Sequence, residues 1–122
     1  MKPLLKAQDC LDHDPIESWQ PKDSAEVDYW LCLHIGPADE NGAEMFYVNV
    51  LSELAAGRLS EDELTRRKKI IIKEYSWAAV KDAVGKILCS VDGPNWTVIA
   101  TKLSDSFDWE FHNFRPYQET PN

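Results

Sequence analysis

The chain has 122 residues, is 43% hydrophobic and 28% charged, and carries a formal net charge of −8. This length suits one domain that buries about two thirds of the surface of its unfolded chain. No apolar stretch approaches the about 20 residues that span a bilayer, and residues 1–10 lack the apolar region of a signal peptide. Three cysteines without a CxxC pair indicate a reduced chain. We therefore predict a single domain over residues 1–122, located in the cytoplasm.

The negative charge is concentrated in the first half. Residues 1–63 carry 4 basic and 14 acidic side chains, a net charge of −10, whereas residues 64–122 carry 9 basic and 7 acidic side chains, a net charge of +2. An acidic surface repels nucleic acid and attracts basic proteins. The charge distribution therefore favours a basic protein partner, without nucleic acid or membrane binding.

The first half is predicted to contain three strands. Residues 3–9 form a short strand, and a polar loop follows to about Ala25. Residues 27–35 alternate between apolar and other side chains, as in a half-buried strand. After a turn at Asn41-Gly42, residues 44–51 resume the extended pattern, which predicts an antiparallel hairpin.

The second half is predicted to contain helices separated by one strand. One or two short helices occupy residues 52–67, where Ser60 and Glu63 have the spacing of a capping box, and residues 68–75 form a strand. A helix then begins after Ser76 and stops at Gly93-Pro94.

A second helix over residues 95–105 and an extended segment over residues 106–117 complete the chain. We expect Gly85, inside the first of the two long helices, to mark a close packing contact. The order of elements predicts an α+β fold. Its antiparallel sheet has about four to five strands, and the two C-terminal helices pack on one face.

Several groups of residues raise the question of chemistry. Cys10 and His13 have a C-x2-H spacing, but a structural zinc site needs four ligands, and no second pair matches. The basic run at residues 66–69 could bind nucleic acid, but basic residues ordinarily occupy the C-terminal end of a helix, and the net charge of −8 favours this second interpretation. The acidic residues of the polar loop lack the spacing of an EF-hand; they are either ordinary solvated side chains or part of a protein-binding surface. We predict no cofactor and no metal site.

Glu110 and His112 are the strongest candidates for catalysis. In an extended segment they share one face, while Trp109 and Phe111 point to the other face. Because no nucleophile motif, phosphate loop or metal pair accompanies them, we predict that Trp109 and Phe111 pack on the helices and that the chain is not an enzyme.

The helical region and the segment after it resemble the immunity protein 8 family of bacterial polymorphic toxin systems. The resemblance rests on EYSWAAVKDAVGKIL, DGPNWTVIATKLS and FDWEFHNFRP, together with the alternating strand that ends in LHIGP and the later MFYVNVLS. Its most specific part is the Trp-Glu-Phe of residues 109–111, with Arg115-Pro116 behind it. The structural motif of the resemblance comprises Trp77, Trp96, Trp109, Glu110 and Phe111. The charged residues 52–69 depart from the family pattern.

The resemblance implies a small cytoplasmic protein that binds and blocks a cognate toxin, many such toxins being nucleases. The alternatives are an acidic adaptor or complex subunit without a toxin partner, and a small hydrolase that uses Glu110 and His112. We expect the partner to contact acidic residues in loops and turns, with exposed tryptophans as apolar anchors. The predicted contact residues are Asp9, Asp12, Asp14, Glu17, Trp19, Trp30, Asp39, Glu40 and Glu44.

Overall fold

A computed structural model describes residues 1–113. In chain order its elements are β1 (Pro3–Asp9), β2 (Asp28–Pro37), β3 (Glu44–Ser52), α1 (Glu53–Ala56), α2 (Glu61–Thr65), β4 (Lys69–Ile72), α3 (Trp77–Cys89), α4 (Trp96–Leu103), β5 (Asp108–Trp109) and α5 (Glu110–Asn113). The strands form one five-stranded sheet. The predicted α+β class and strand number are confirmed.

The sheet is antiparallel except at one pairing. β1 pairs with β2 and β2 pairs with β3, both antiparallel, whereas β4 runs parallel to β3. Parallel neighbours need a crossover connection, because the chain must return to the end of the sheet from which the first strand started. The segment that contains α1 and α2 is this connection between β3 and β4. β4 and β5 share one edge of β3. β5 pairs with Phe46 and Tyr47, and β4 pairs with Asn49–Ser52.

The β2–β3 hairpin reverses just before the predicted Asn41-Gly42, where Glu40 N donates to the Pro37 carbonyl at 3.3 Å. Gly42 has a φ of +99°, which favours glycine. A Cβ atom on Gly36 would lie 2.1 Å from the carbonyl oxygen of Gly42, so the two arms of the hairpin approach closely at the base of the turn. The register that follows places Trp30 opposite Asn49 and Cys32 opposite Tyr47.

One face of the sheet and the two long helices form the core. The buried strand residues on this inner face are Val27, Tyr29, Leu31, Leu33, Ile35, Phe46, Val48 and Val50. They are joined by Val80, Val84 and Leu88 of α3 and by Ile99, Ala100 and Leu103 of α4. Each large aliphatic side chain buried here contributes about 1.5–3 kcal/mol. The predicted packing of two helices on one face is confirmed.

α2 and α3 begin at their predicted caps, and Asn95 caps α4. The hydroxyl of Ser76 accepts from Ala79 N at 3.1 Å, and the side chain of Asn95 accepts from Val98 N at 3.0 Å. Ser60 and Glu63 form both hydrogen bonds of the capping box. These bonds satisfy backbone N–H groups that have no partner within the helix.

Two expectations about α3 are wrong. The helix ends at Cys89 with Ser90 as its C-cap, before Gly93-Pro94. A Cβ atom on Gly85 would meet no atom within 4 Å, so Gly85 marks no close contact.

The C-terminal strand is much shorter than predicted. β5 has two residues, and the chain then turns into α5. β4 pairs with β3 over Asn49–Ser52 and leaves only the other end of that edge for β5. Trp109 stacks on Phe46 at 6.2 Å between ring centroids, but Phe111 is 50% exposed, so its predicted burial is wrong. The predicted extension over residues 114–117, including Arg115-Pro116, lies outside the described residues.

Candidate protein-interaction face

The face of the sheet opposite the helices carries a cluster of partly exposed side chains. Trp30, Cys32 and His34 alternate with the buried residues of β2, and the register places Met45 and Tyr47 of β3 beside them. Asp9 of β1 pairs with Cys32 from the other side. These six residues are called the outer face below.

A depression of about 470 Å³ opens on the outer face. It is lined by Asp9, Cys10, Leu11, Asp12, Trp30, Cys32, Met45 and Tyr47. Leu11 at its rim is 100% exposed, Trp30 is 45% exposed and Met45 is 38% exposed. Large apolar side chains grouped in a depression with a polar rim are typical of protein-binding sites.

On the side of Trp30 away from the depression, the buried Asn49 is the centre of a hydrogen-bond network. The Asn49 amide donates to Asp28 Oδ1 at 2.8 Å and to the Tyr29 carbonyl at 3.0 Å. Arg67 Nη1 donates to Asn49 Oδ1 at 2.9 Å. Arg66 pairs with Asp62 at 2.9 Å. Both arginines of the basic run are therefore engaged within the protein.

Charged and polar groups of the outer face are coupled. His34 Nε2 lies 2.8 Å from Asp9 Oδ2. Burial, followed by the Asp9 carboxylate, raises the pKa of the Cys32 thiol to about 11. Burial also raises the pKa of Tyr47. Cys32 is therefore a thiol at neutral pH, which argues against a nucleophilic role.

Trp19 is not an exposed anchor. Its ring stacks on His13 with centroids 3.8 Å apart, and it packs against the core beside Tyr29 and Tyr75. The two tyrosine hydroxyls are 3.0 Å apart. Burial is the main cause that raises the pKa of both. The expectation that Trp19 is exposed is therefore wrong; the aromatic stack fixes the polar loop to the sheet.

Most predicted contact residues lie at the surface. Asp9, Asp12, Asp14, Glu17, Trp30, Asp39 and Glu40 are exposed. Asp9, Asp12 and Trp30 meet at the depression, whereas Asp39 and Glu40 lie at the hairpin tip. Glu17 accepts from Gln8 Nε2 at 2.5 Å. Backbone and Gln8 hydrogen bonds lower the Glu17 pKa.

Glu44 has a structural role that the sequence did not indicate. Its Oε1 accepts from the indole nitrogens of Trp96 at 2.8 Å and Trp109 at 2.9 Å. Both tryptophans, like Trp77, are partly buried against the core. One carboxylate thereby joins β3, α4 and β5.

The proposed pairing of Glu110 with His112 loses its geometric basis. Glu110 begins a helix, and positions two residues apart lie on different sides of a helix. The Glu110 carboxylate accepts from Met45 N at 2.6 Å, and the side chain of His112 lies outside the described part of the chain. Glu110 thus ties α5 to β3.

Sequence reasoning missed Leu11, Met45 and Tyr47 as surface residues of the same depression. A signal was present for two of them, because Met45 and Tyr47 alternate with Phe46, Val48 and Val50 and must face away from the core. Leu11 carries no such signal, since it lies in a loop.

Comparison with known proteins identifies a family. The family model described as Immunity protein 8 matches residues 4–114 of the chain. No curated protein and no solved structure gives a significant match. Among residues 1–113, no helix is long and apolar enough to cross a membrane.

Proposed function

The chain belongs to the immunity protein 8 family, and we propose that it neutralises a cognate toxin by direct contact through the outer face and the adjoining acidic loop. The observation that carries the location is the depression that joins Trp30, Leu11 and Met45 to Asp9 and Asp12. Apolar anchors supply binding energy when they are desolvated, and surrounding charges give specificity and rapid association.

The charge pattern supports a basic toxin, most simply one that acts on nucleic acid. Residues 1–63 carry a net charge of −10. A nuclease surface that binds phosphate is basic, so an acidic protein of this kind can cover it and exclude the substrate. The proposed inhibitor is non-enzymatic and acts in the cytoplasm, by forming a complex with the toxin.

The test is co-expression of this chain with the product of the neighbouring gene. We expect the neighbouring product to arrest growth alone, and this chain to restore growth and to co-purify with the product in a stable complex. Purified toxin should degrade nucleic acid, and addition of this chain should stop the degradation.

Hydrogen exchange of the complex separates the function from its location. Protection of β2, β3 and the loop at Leu11 supports the outer face, whereas protection confined to α3 would place the interface on the opposite side. A partner that binds without arresting growth would contradict immunity and favour the adaptor alternative.

A further inference from the structure

We propose that Asp9, Cys32 and His34 form a zinc-binding site on the outer face. The candidate ligand atoms, a carboxylate oxygen, Cys Sγ and an imidazole nitrogen, all lie within 4.8 Å of one another. Zinc binding at this site is a property separate from the proposed toxin neutralisation and does not depend on it. It also replaces the expectation, drawn from local spacing alone, that the chain holds no metal.

The strand register assembles these three residues. Asp9 pairs with Cys32 across β1 and β2, and His34 follows two residues later on the same face of β2. The register shift between Leu5 and Ala7 brings Ala7, rather than Lys6, opposite His34. In this register His34 Nε2 lies 2.8 Å from Asp9 Oδ2.

The ligand distances suit a small tetrahedral ion. Zinc binds Cys Sγ at about 2.3 Å and His nitrogen or carboxylate oxygen at about 2.0–2.2 Å, so its ligand atoms lie about 3.3–3.6 Å apart. The three atoms lie within 4.8 Å of one another, and binding would bring them to this spacing while the 2.8 Å contact between His34 Nε2 and Asp9 Oδ2 lengthens. Calcium and magnesium prefer sets of oxygen ligands, whereas a thiolate with an imidazole favours zinc.

The surroundings fit a bound ion. Cys32 is buried and His34 is half-buried, which limits competition from solvent, while Asp9 faces the depression. Tyr47 lies beside Cys32 across β2 and β3, and its hydroxyl donates to Met45 Sδ at 3.5 Å. Coordination releases the thiol proton to solvent, and the fourth position opens into the depression, where water completes the coordination.

Cobalt(II) provides the test, because a thiolate ligand produces a sulfur-to-cobalt charge-transfer band. The purified, reduced chain should bind one cobalt ion with this band, and zinc should displace the cobalt and raise the melting temperature. Cys32→Ser should remove the band. Loss of a residue that only orients a ligand typically lowers metal affinity by about 10–100-fold. His34→Gln and Asp9→Asn should lower the cobalt affinity by more than this.

Two matched variants serve as controls. Cys89→Ser removes an exposed thiol on α3, and Asp12→Asn removes a carboxylate from the same depression but from outside the ligand group. Both should retain the band and the affinity. Asp9 is exposed, so Asp9→Asn tests the site even if Cys32→Ser fails to fold. The proposal is overturned if cobalt does not bind stoichiometrically, or if the band survives Cys32→Ser or is lost in Cys89→Ser.

Discussion

The two faces of β2 have opposite physical characters. Toward the helices, Leu31, Leu33 and Ile35 have no exposed surface, and each is held by surrounding apolar groups. Away from the helices, Trp30 keeps 45% of its surface in water. The inner face gains stability from burial. The outer face leaves that gain unrealised, as expected if it is the proposed partner surface.

Phe46→Ala should give the largest effect and tests the inner face. Phe46 is fully buried and packs against the rings of Trp96, Phe107 and Trp109. Its truncation should reduce the free energy of unfolding by about 3–5 kcal/mol, measured by urea denaturation. Phe111→Ala is the matched control, because its half-exposed ring should cost about 1 kcal/mol or less. Equal losses in the two variants would contradict the described C-terminal turn.

Trp30→Ala tests the outer face. Removing the largest exposed apolar side chain of the depression should weaken toxin binding by about 2 kcal/mol or more, which is about 30-fold in Kd. The melting temperature should change little, because the ring is only partly buried. Isothermal titration and thermal unfolding of the same preparation measure both quantities. Full affinity in this variant would exclude Trp30 as an anchor.

Glu44→Ala tests the link between the C-terminal segment and the sheet. The change leaves the two indole N–H groups without their carboxylate acceptor, and the free energy of unfolding should fall by about 1–2 kcal/mol. Glu44→Gln retains a carbonyl acceptor and should recover part of the loss. If both variants match the wild type, water replaces the acceptor at no cost.

Replacing Asp12, Asp14 and Glu17 together with amides should have the smallest effect. These exposed acids steer a basic partner, so association should slow by about tenfold or less and depend less on salt. Charges separated by more than a Debye length of about 8 Å at physiological salt are largely screened. Stopped-flow association across salt concentrations measures both changes.

A triple variant of Glu74, Asp82 and Asp92 to amides is the matched control, because it makes the same change in net charge outside the loop. It should leave association less affected. Equal slowing by both triple variants would indicate that total charge, rather than its position, steers the partner.

Local sequence patterns predicted the parts of the fold that depend on near neighbours. The alternation around Leu31 and the caps at Ser60 and Ser76 involve residues close in sequence, and the structure confirms them. The C-terminal segment was mispredicted from Glu110 onward. An extended chain would pair with Met45 there, but the Glu110 carboxylate accepts from Met45 N and the chain turns into α5. That contact joins residues 65 positions apart and has no local signature in residues 106–117.

The candidate site is even less local. Asp9, Cys32 and Met45 come from three strands and meet only once the sheet register is set. Charge asymmetry indicated an acidic surface, and Trp30 was predicted as an anchor, but composition does not specify which acids adjoin which aromatic residue. The indole bonds of Glu44 likewise connect residues 52 and 65 positions apart.

The base of the β2–β3 hairpin divides the positions that tolerate mutation from those that do not. A side chain at Gly36 would collide with the backbone of Gly42, and Gly42 itself adopts a conformation that other residues rarely accept. Asp39 and Glu40 between them are exposed and carry no such steric restriction. In evolutionary terms, we therefore expect substitutions to accumulate at the hairpin tip more readily than at the two glycines that fix its base.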